Sequence, residues 1–179
     1  MNLDDIPSGS LCVLDTNILI YAEQRASLQS ERLMRRIEEQ DVIGMLPQPV
    51  WQETMHRLMI IEAIMLGHIR GPNPARQLAE KPDVVKKLTI YRDKVSALMT
   101  LGLGFEPCHE SDLLGKALEI QERHGLLTND SLIAAIALRI EADVLVSADT
   151  RFQAIKELRT YAPSDVNFLQ YNRSRGLKG

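Results

Sequence analysis

The apolar positions of this chain alternate between two spacings. A short unbroken run, Leu11-Cys12-Val13-Leu14, stops at Asp15, and Ile18-Leu19-Ile20-Tyr21 follows almost at once. Such a pattern predicts a buried strand, a polar turn and the start of a helix. Leu33, Met34 and Ile37 then fall at helical spacing inside the charged stretch 31–39, and Val42-Ile43-Gly44-Met45-Leu46 is a second strand-like run. Together these make one β-α-β unit.

Pro47 and Pro49 break the chain, residues 50–66 continue with helical composition, and Gly71-Pro72-Asn73-Pro74 requires a turn or loop. Val84, Leu88, Tyr91, Val95 and Leu98 recur every three or four residues, which predicts one long helix over about 83–99. This helical middle could serve as a lobe or clamp. An extended piece at 105–109 leads to a helix opened by Ser111 as N-cap and closed at His124-Gly125. A helix from Thr128 carries Leu132, Ile133, Ile136, Ala137 and Ile140, and Asp143-Val144-Leu145-Val146-Ser147 is a buried strand that runs into Asp149. Residues 152–158 read as a last short helix, Val166-Asn167-Phe168-Leu169 as a final strand, and 171–179 as a frayed tail.

Strands alternating with helices predict an α/β fold, a mostly parallel β-sheet sandwiched by helices in a Rossmann-like three-layer arrangement. No repeat, low-complexity tract or linker divides the chain, so a single domain over 1–179, with its core at about 11–169, is expected.

Composition sharpens this. With 179 residues, 45% of them hydrophobic and 25% charged, the chain can bury a core without disulfides or structural metals. Cys12 and Cys108 sit in apolar stretches and lack CxxC spacing, which favours reduced, buried thiols and a cytoplasmic setting. No apolar run has the length of a membrane span, and residues 1–10 do not read as an export signal. A net charge of −3 disfavours a broad electropositive face for nucleic acid. That objection weakens if some acids hold a cation, which reverses the local field. His56, His68, His109 and His124 show no zinc-hydrolase pairing.

In an open parallel sheet, ligands bind beyond the carboxyl ends of the strands, and Asp15 and Asp149 each follow a buried run. The residues after them, Thr16-Asn17 and Thr150-Arg151, could fix a carboxylate or its water. Glu53 and Asp130 lie near helix starts after turn-rich segments, which makes all four acids candidates for one cluster. A helix cap would account as well for Asp15 or Asp149 alone, and a first-turn helix charge is the better account of Glu53 or Asp130 taken singly. Together, four carboxylates repel unless a cation neutralises them, and Mg2+ or Mn2+ suits an all-oxygen site. Phosphodiester hydrolysis fits such a site. Arg57, His68, Arg70, Arg76, Lys81, Lys86 and Lys87 could contact phosphates from its rim, or form an ordinary solvated helix face.

Several motifs resemble one known family. They are Val13-Leu14-Asp15-Thr16-Asn17-Ile18-Leu19-Ile20-Tyr21, Glu53 after the second strand, Thr128-Asn129-Asp130 with Ile133-Ala134-Ala135, and Val146-Ser147-Ala148-Asp149-Thr150-Arg151-Phe152. The chain resembles a PIN domain over nearly its whole length. The resemblance implies that Asp15, Glu53, Asp130 and Asp149 bind Mg2+ or Mn2+ and support cleavage of single-stranded RNA, with Thr16, Asn17 and Ser147 supporting them by hydrogen bonds. It also implies similarity to VapC-type toxins, which form homodimers and bind a small antitoxin, although the helical middle is longer than a minimal toxin of that type. Two alternatives stay open: a catalytically silent PIN-like interaction module and a DNA-directed nuclease. A haloacid-dehalogenase-type phosphatase would need an acid two residues after Asp15, where Asn17 stands.

Overall fold

The computed structural model describes residues 1–109, 111–169 and 171. Five short strands, β1 (Leu11–Leu14), β2 (Ile43–Pro47), β3 (Gly104–Glu106), β4 (Val144–Val146) and β5 (Thr160–Tyr161), form one sheet in the order β3-β2-β1-β4-β5, with every pairing parallel. Cys12, Val13 and Leu14 of β1 and all of β4 are buried, as expected for inner strands covered on both faces. The cover comes from α1 (Thr16–Glu23), α2 (Leu28–Glu38), α3 (Gln48–Met65), α4 (Pro74–Ala79), α5 (Pro82–Lys87), α6 (Ile90–Thr100), α7 (Ser111–His124) and α8 (Thr128–Arg139). Leu33 and Ile37 of α2 and Leu113 and Ile120 of α7 join the main core with the strands. So does α8, whose Ala134, Ala135 and Ala137 are small enough to allow close approach. The three-layer parallel α/β arrangement expected from the sequence is the one observed.

The strand order reverses direction once. From β1 the chain moves outward through β2 to β3, then returns to place β4 on the other side of β1 and β5 beyond it. The β1/β4 boundary is therefore a topological switch point, where the connections diverge and leave a crevice at the carboxyl ends. Leu14 pairs with Val146 across that boundary, and the Asp15 amide donates to the Val146 carbonyl at 2.9 Å.

The helical middle differs from the expected single helix at 83–99. The chain breaks at Leu88, whose backbone is extended, separating α5 from α6. Glu62, buried at 4% exposure on α3, accepts hydrogen bonds from the amides of Thr89, Ile90 and Tyr91 at 3.0, 3.1 and 2.8 Å. A carboxylate at the start of α6 satisfies donors that an uninterrupted helix would have paired internally. Leu88 is freed to enter a separate cluster with Ala63, Ile69 and Leu78.

The C-terminal region also departs from expectation. Residues 150–154 form a short 3-10 helix in place of a helix at 152–158. The last strand is Thr160–Tyr161, and no strand forms at 166–169. Instead Asp165 accepts from the Ser27 hydroxyl and the Gln29 amide, and Asn167 donates its amide to the Ala26 carbonyl, which docks this segment on the α1–α2 corner. Ser111, expected as an N-cap, is the first residue of α7. Of the tail expected to fray, Tyr171 is buried and meets Tyr21 edge-on with ring centroids 5.0 Å apart; 172–179 lie outside the described residues.

The cap on α6 gives a direct test. Glu62→Ala removes a buried acceptor of three amides, and a hydrogen bond to a charged group is worth about 1.5–3 kcal/mol in net terms, not additive over bonds that share one carboxylate. Urea denaturation of the variant should show a loss of about 2–4 kcal/mol. An unchanged midpoint would show that the break at Leu88 does not depend on this carboxylate.

Candidate active site

Four elements meet at the switch point. Asp15 occupies the N-cap position of α1, directly after β1, yet its side chain makes no helix-capping bond. It turns instead toward the segment following β4. The Ser147 hydroxyl and the Asn17 side-chain amide both donate to its Oδ2, each at 2.5 Å. The Ser147 hydroxyl in turn accepts from the Asp149 amide at 3.0 Å, and the Asn17 carbonyl accepts from the Ala148 amide at 3.1 Å. Asp15 and the loop carrying Asp149 are thereby stitched together by two short polar side chains. Thr16, itself buried, donates its hydroxyl to Glu53 Oε2 at 3.4 Å, which ties α3 to the same point. Asp130, in the first turn of α8, is joined to Asp149 through Arg151, whose Nη2 lies 2.9 Å from Asp130 Oδ2 and also pairs with Asp149 Oδ2.

Asp15, Glu53, Asp130 and Asp149 are thus brought to one place, with Thr16, Asn17 and Ser147 among them. Glu53 lies in the second turn of α3 rather than the first, because the helix begins at Gln48. Arg57 stands one turn further along α3 and pairs with Glu53 at 2.5 Å. The spacing of Glu53 and Arg57 made that pair readable as an i,i+4 contact, whereas the reach of Arg151 to Asp130 depends on the fold. Of the other cations on the helical middle, Arg76 and Lys86 pair with acids of their own helices, and Lys81 donates to the His68 carbonyl.

The electrostatics follow from the crowding. Burial pushes the Asp15 carboxyl above its ordinary value; the Ser147 hydroxyl and Thr16 amide offset this in part, and the Glu53 and Asp130 carboxylates add to it. Asp130 is likewise raised, chiefly by burial, with Arg151 opposing and Asp149 and Glu53 reinforcing. Asp149 is held below its ordinary value by its hydrogen bonds with Arg151. The protein therefore keeps a buried carboxylate facing other acids, an arrangement stabilised by any cation that enters.

The donor set is all oxygen and suits a hard divalent cation. Among the described residues, no three His, Cys, Asp or Glu side chains are arranged to grip one ion directly. Mg2+ does not require that, since it usually keeps several waters and takes one or two carboxylates. Cys12 and Cys108 are free thiols, and burial pushes Cys12 up to about 12, which leaves it protonated and unsuited to metal binding at neutral pH.

A carboxyl raised on folding binds its proton more tightly in the folded chain, so ionised Asp15 subtracts stability at neutral pH, and that loss diminishes as pH falls. Asp15→Asn should accordingly raise the melting temperature of the metal-free protein by about 2–4 °C, equivalent to about 1 kcal/mol for a chain of this size. Thermal melts at pH 7 in EDTA check this. A lower melting temperature would mean that Ser147 and Asn17 stabilise the charge more than its burial and neighbours oppose it.

Comparisons with known proteins bear on the fold and the family. The chain matches solved structures named as VapBC2 from Rickettsia felis bound to a DNA fragment from their promoter (TM-score 0.56, 17% identity, 84% of this chain and 97% of that one) and a toxin–antitoxin complex from Klebsiella pneumoniae (TM-score 0.52, 15% identity, 82% and 94%). A third is VapBC-1 from nontypeable Haemophilus influenzae, with TM-score 0.50, 19% identity, and 84% and 96% coverage. At such identities the likeness is one of fold. No curated protein matches the sequence. The model of the PIN domain matches residues 12–158, from the first core strand past the fourth acid, and the chain therefore belongs to the PIN domain family.

Proposed function

We propose that this chain is a Mg2+- or Mn2+-dependent endoribonuclease that hydrolyses phosphodiester bonds in single-stranded or structured RNA, in the manner of a VapC-like toxin. The observation that carries the reading is the convergence of four carboxylates, from four separate elements, on the switch point of the sheet. PIN domains are in general nucleases, and the structural neighbours are named as VapBC2, VapBC-1 and a toxin–antitoxin complex.

Asp15, Glu53, Asp130 and Asp149 would hold the cation, directly or through its waters. When bound, the metal supplies charge to polarise a phosphodiester and acidify a water. The chain's own residues set the geometry. Ser147 and Asn17 fix the Asp15 rotamer from two sides, and Thr16 orients Glu53. Held this way, Asp15 and Glu53 need little reorganisation when substrate arrives. Glu53, Asp130 or Asp149 lies on the rim where a carboxylate could accept the proton of an attacking water, since all three are partly exposed.

A small antitoxin is the proposed protein partner. A groove of about 310 Å³ lined by Ile20, Ile60, Ile61, Pro72 and Tyr171 opens beside Arg57, the residue paired with Glu53, and would place a bound apolar segment next to the acids. Homodimer formation is also proposed, supported by exposed Met99 and Phe105 flanking a groove with Trp51 and Leu103. One domain over the whole chain, in a cytoplasmic setting where the cysteines stay reduced, belongs to the same reading. No described helix is long and apolar enough to cross a membrane.

Purified protein should cut labelled single-stranded RNA in Mg2+ or Mn2+, and should stop cutting in EDTA and in the Asp15→Asn and Asp149→Asn variants. Loss of 100-fold or more, on the order of 3 kcal/mol, is expected for each variant. Cleavage of DNA alone would favour the DNA-directed alternative, and no cleavage of either, with no metal bound, the silent interaction module. Because Asp15 and Asp130 are raised in the metal-free chain and protons compete with the cation for their oxygens, cleavage at sub-saturating metal should fall on acidification, and more metal should restore it. Loss on acidification that added metal does not reverse would contradict that assignment.

A further inference from the structure

Arg151 does more than donate its amide to Asp149, the cap of its own turn. Its Nε donates to both carboxylate oxygens of Asp149, at 3.0 and 2.9 Å, while its Nη2 reaches Oδ2 of both Asp149 and Asp130. One guanidinium therefore bridges acids on two elements, α8 and the loop after β4, and engages the lone pairs that a divalent cation would use. The side chain is 48% exposed and sits at the mouth of the cluster, so it can leave toward solvent without disturbing the core. Two cations on the same oxygens repel each other and compete for their lone pairs.

Resting on the reading of these acids as a metal site, we propose that Arg151 is a resident counter-ion which a divalent cation must displace from Asp130 and Asp149 in order to bind. The guanidinium stabilises the metal-free chain by neutralising acids that would otherwise repel, and for the same reason it weakens metal binding. The metal affinity of the chain is then set by a competition that the protein carries within itself, and the displaced arginine is released at the rim of the site.

Calorimetric titration with Mn2+ alone, on the full chain, tests this without reference to catalysis. Arg151→Gln should bind Mn2+ roughly fivefold more tightly or better, the gain expected when a partly exposed ion pair no longer has to be broken. Its metal-free melting temperature should be lower than that of the unaltered chain. Arg151→Lys keeps the charge but lacks the planar fork that spans two carboxylates, and should fall between the two. Equal affinity in all three proteins would overturn the inference while leaving the metal site standing. So would tighter binding by Arg151→Gln with Arg151→Lys unchanged, since net charge alone would then explain the effect. Absence of Mn2+ binding by all three would reject the metal site and the inference together.

Discussion

The parallel pairing of β1 with β4 is the constraint on which the site depends. It sets Leu14 beside Val146, and the next residue on each strand is then Asp15 on one side and Ser147 on the other. A slip of one residue would turn Asp15 into the sheet and remove the Ser147 hydroxyl from its carboxylate. That register is held by buried Cys12, Val13, Leu14 and Val144, Leu145, Val146, so the hydrophobic core and the polar site are specified by the same ladder. Because the strand order reverses at this boundary, the connections diverge above it, where open parallel sheets bind their ligands, while Leu14 and Val146 beneath are buried.

Building a site from carboxylates has a structural cost, and the surroundings show how it is met. Asp15 is the buried member, and its charge is tolerated through hydrogen bonds from Ser147 and Asn17 that also lock its position. The partly exposed acids are neutralised by arginines, Glu53 by Arg57 and both Asp130 and Asp149 by Arg151. Elsewhere the fold uses the same device for a structural purpose: buried Glu62 satisfies three amides at the start of α6 and bends the helical middle around the end of α3. A carboxylate with three amide partners holds a fixed structure, whereas Glu53, Asp130 and Asp149 at the switch point are balanced by partly exposed arginine side chains.

Much of this was legible in the sequence for physical reasons. Asp15 and Asp149 stood out because each follows a continuous apolar run, the mark of an inner parallel strand, and the alternation of such runs with amphipathic stretches implied the layered sheet. Glu53 and Asp130 were less distinctive as single residues and gained weight only as part of a family resemblance. What stayed hidden was governed by partners distant in sequence. The helical period through Val84, Leu88, Tyr91 and Val95 is genuine, but Glu62 stabilises a break within it. Thr160–Tyr161 is too short and too polar to read as a strand, and becomes one because β4 offers an open edge. The apolar Val166, Phe168 and Leu169 suggested a strand, while the neighbouring Asp165 bonds to Ser27 and Gln29 and carries the chain away from the sheet. Arg151 was visible as a companion of Asp149, but its second partner, Asp130, required the fold.

The central claim, that these acids form one divalent-cation site, is tested most directly by anomalous diffraction from crystals of the protein grown in Mn2+. The account predicts a single strong peak at the carboxyl ends of β1 and β4, within ligand or water-bridged distance of Asp15 and Asp149, with the Arg151 guanidinium turned away. Well-diffracting crystals in Mn2+ with no peak there, and Arg151 still bridging Asp130 and Asp149, would contradict it.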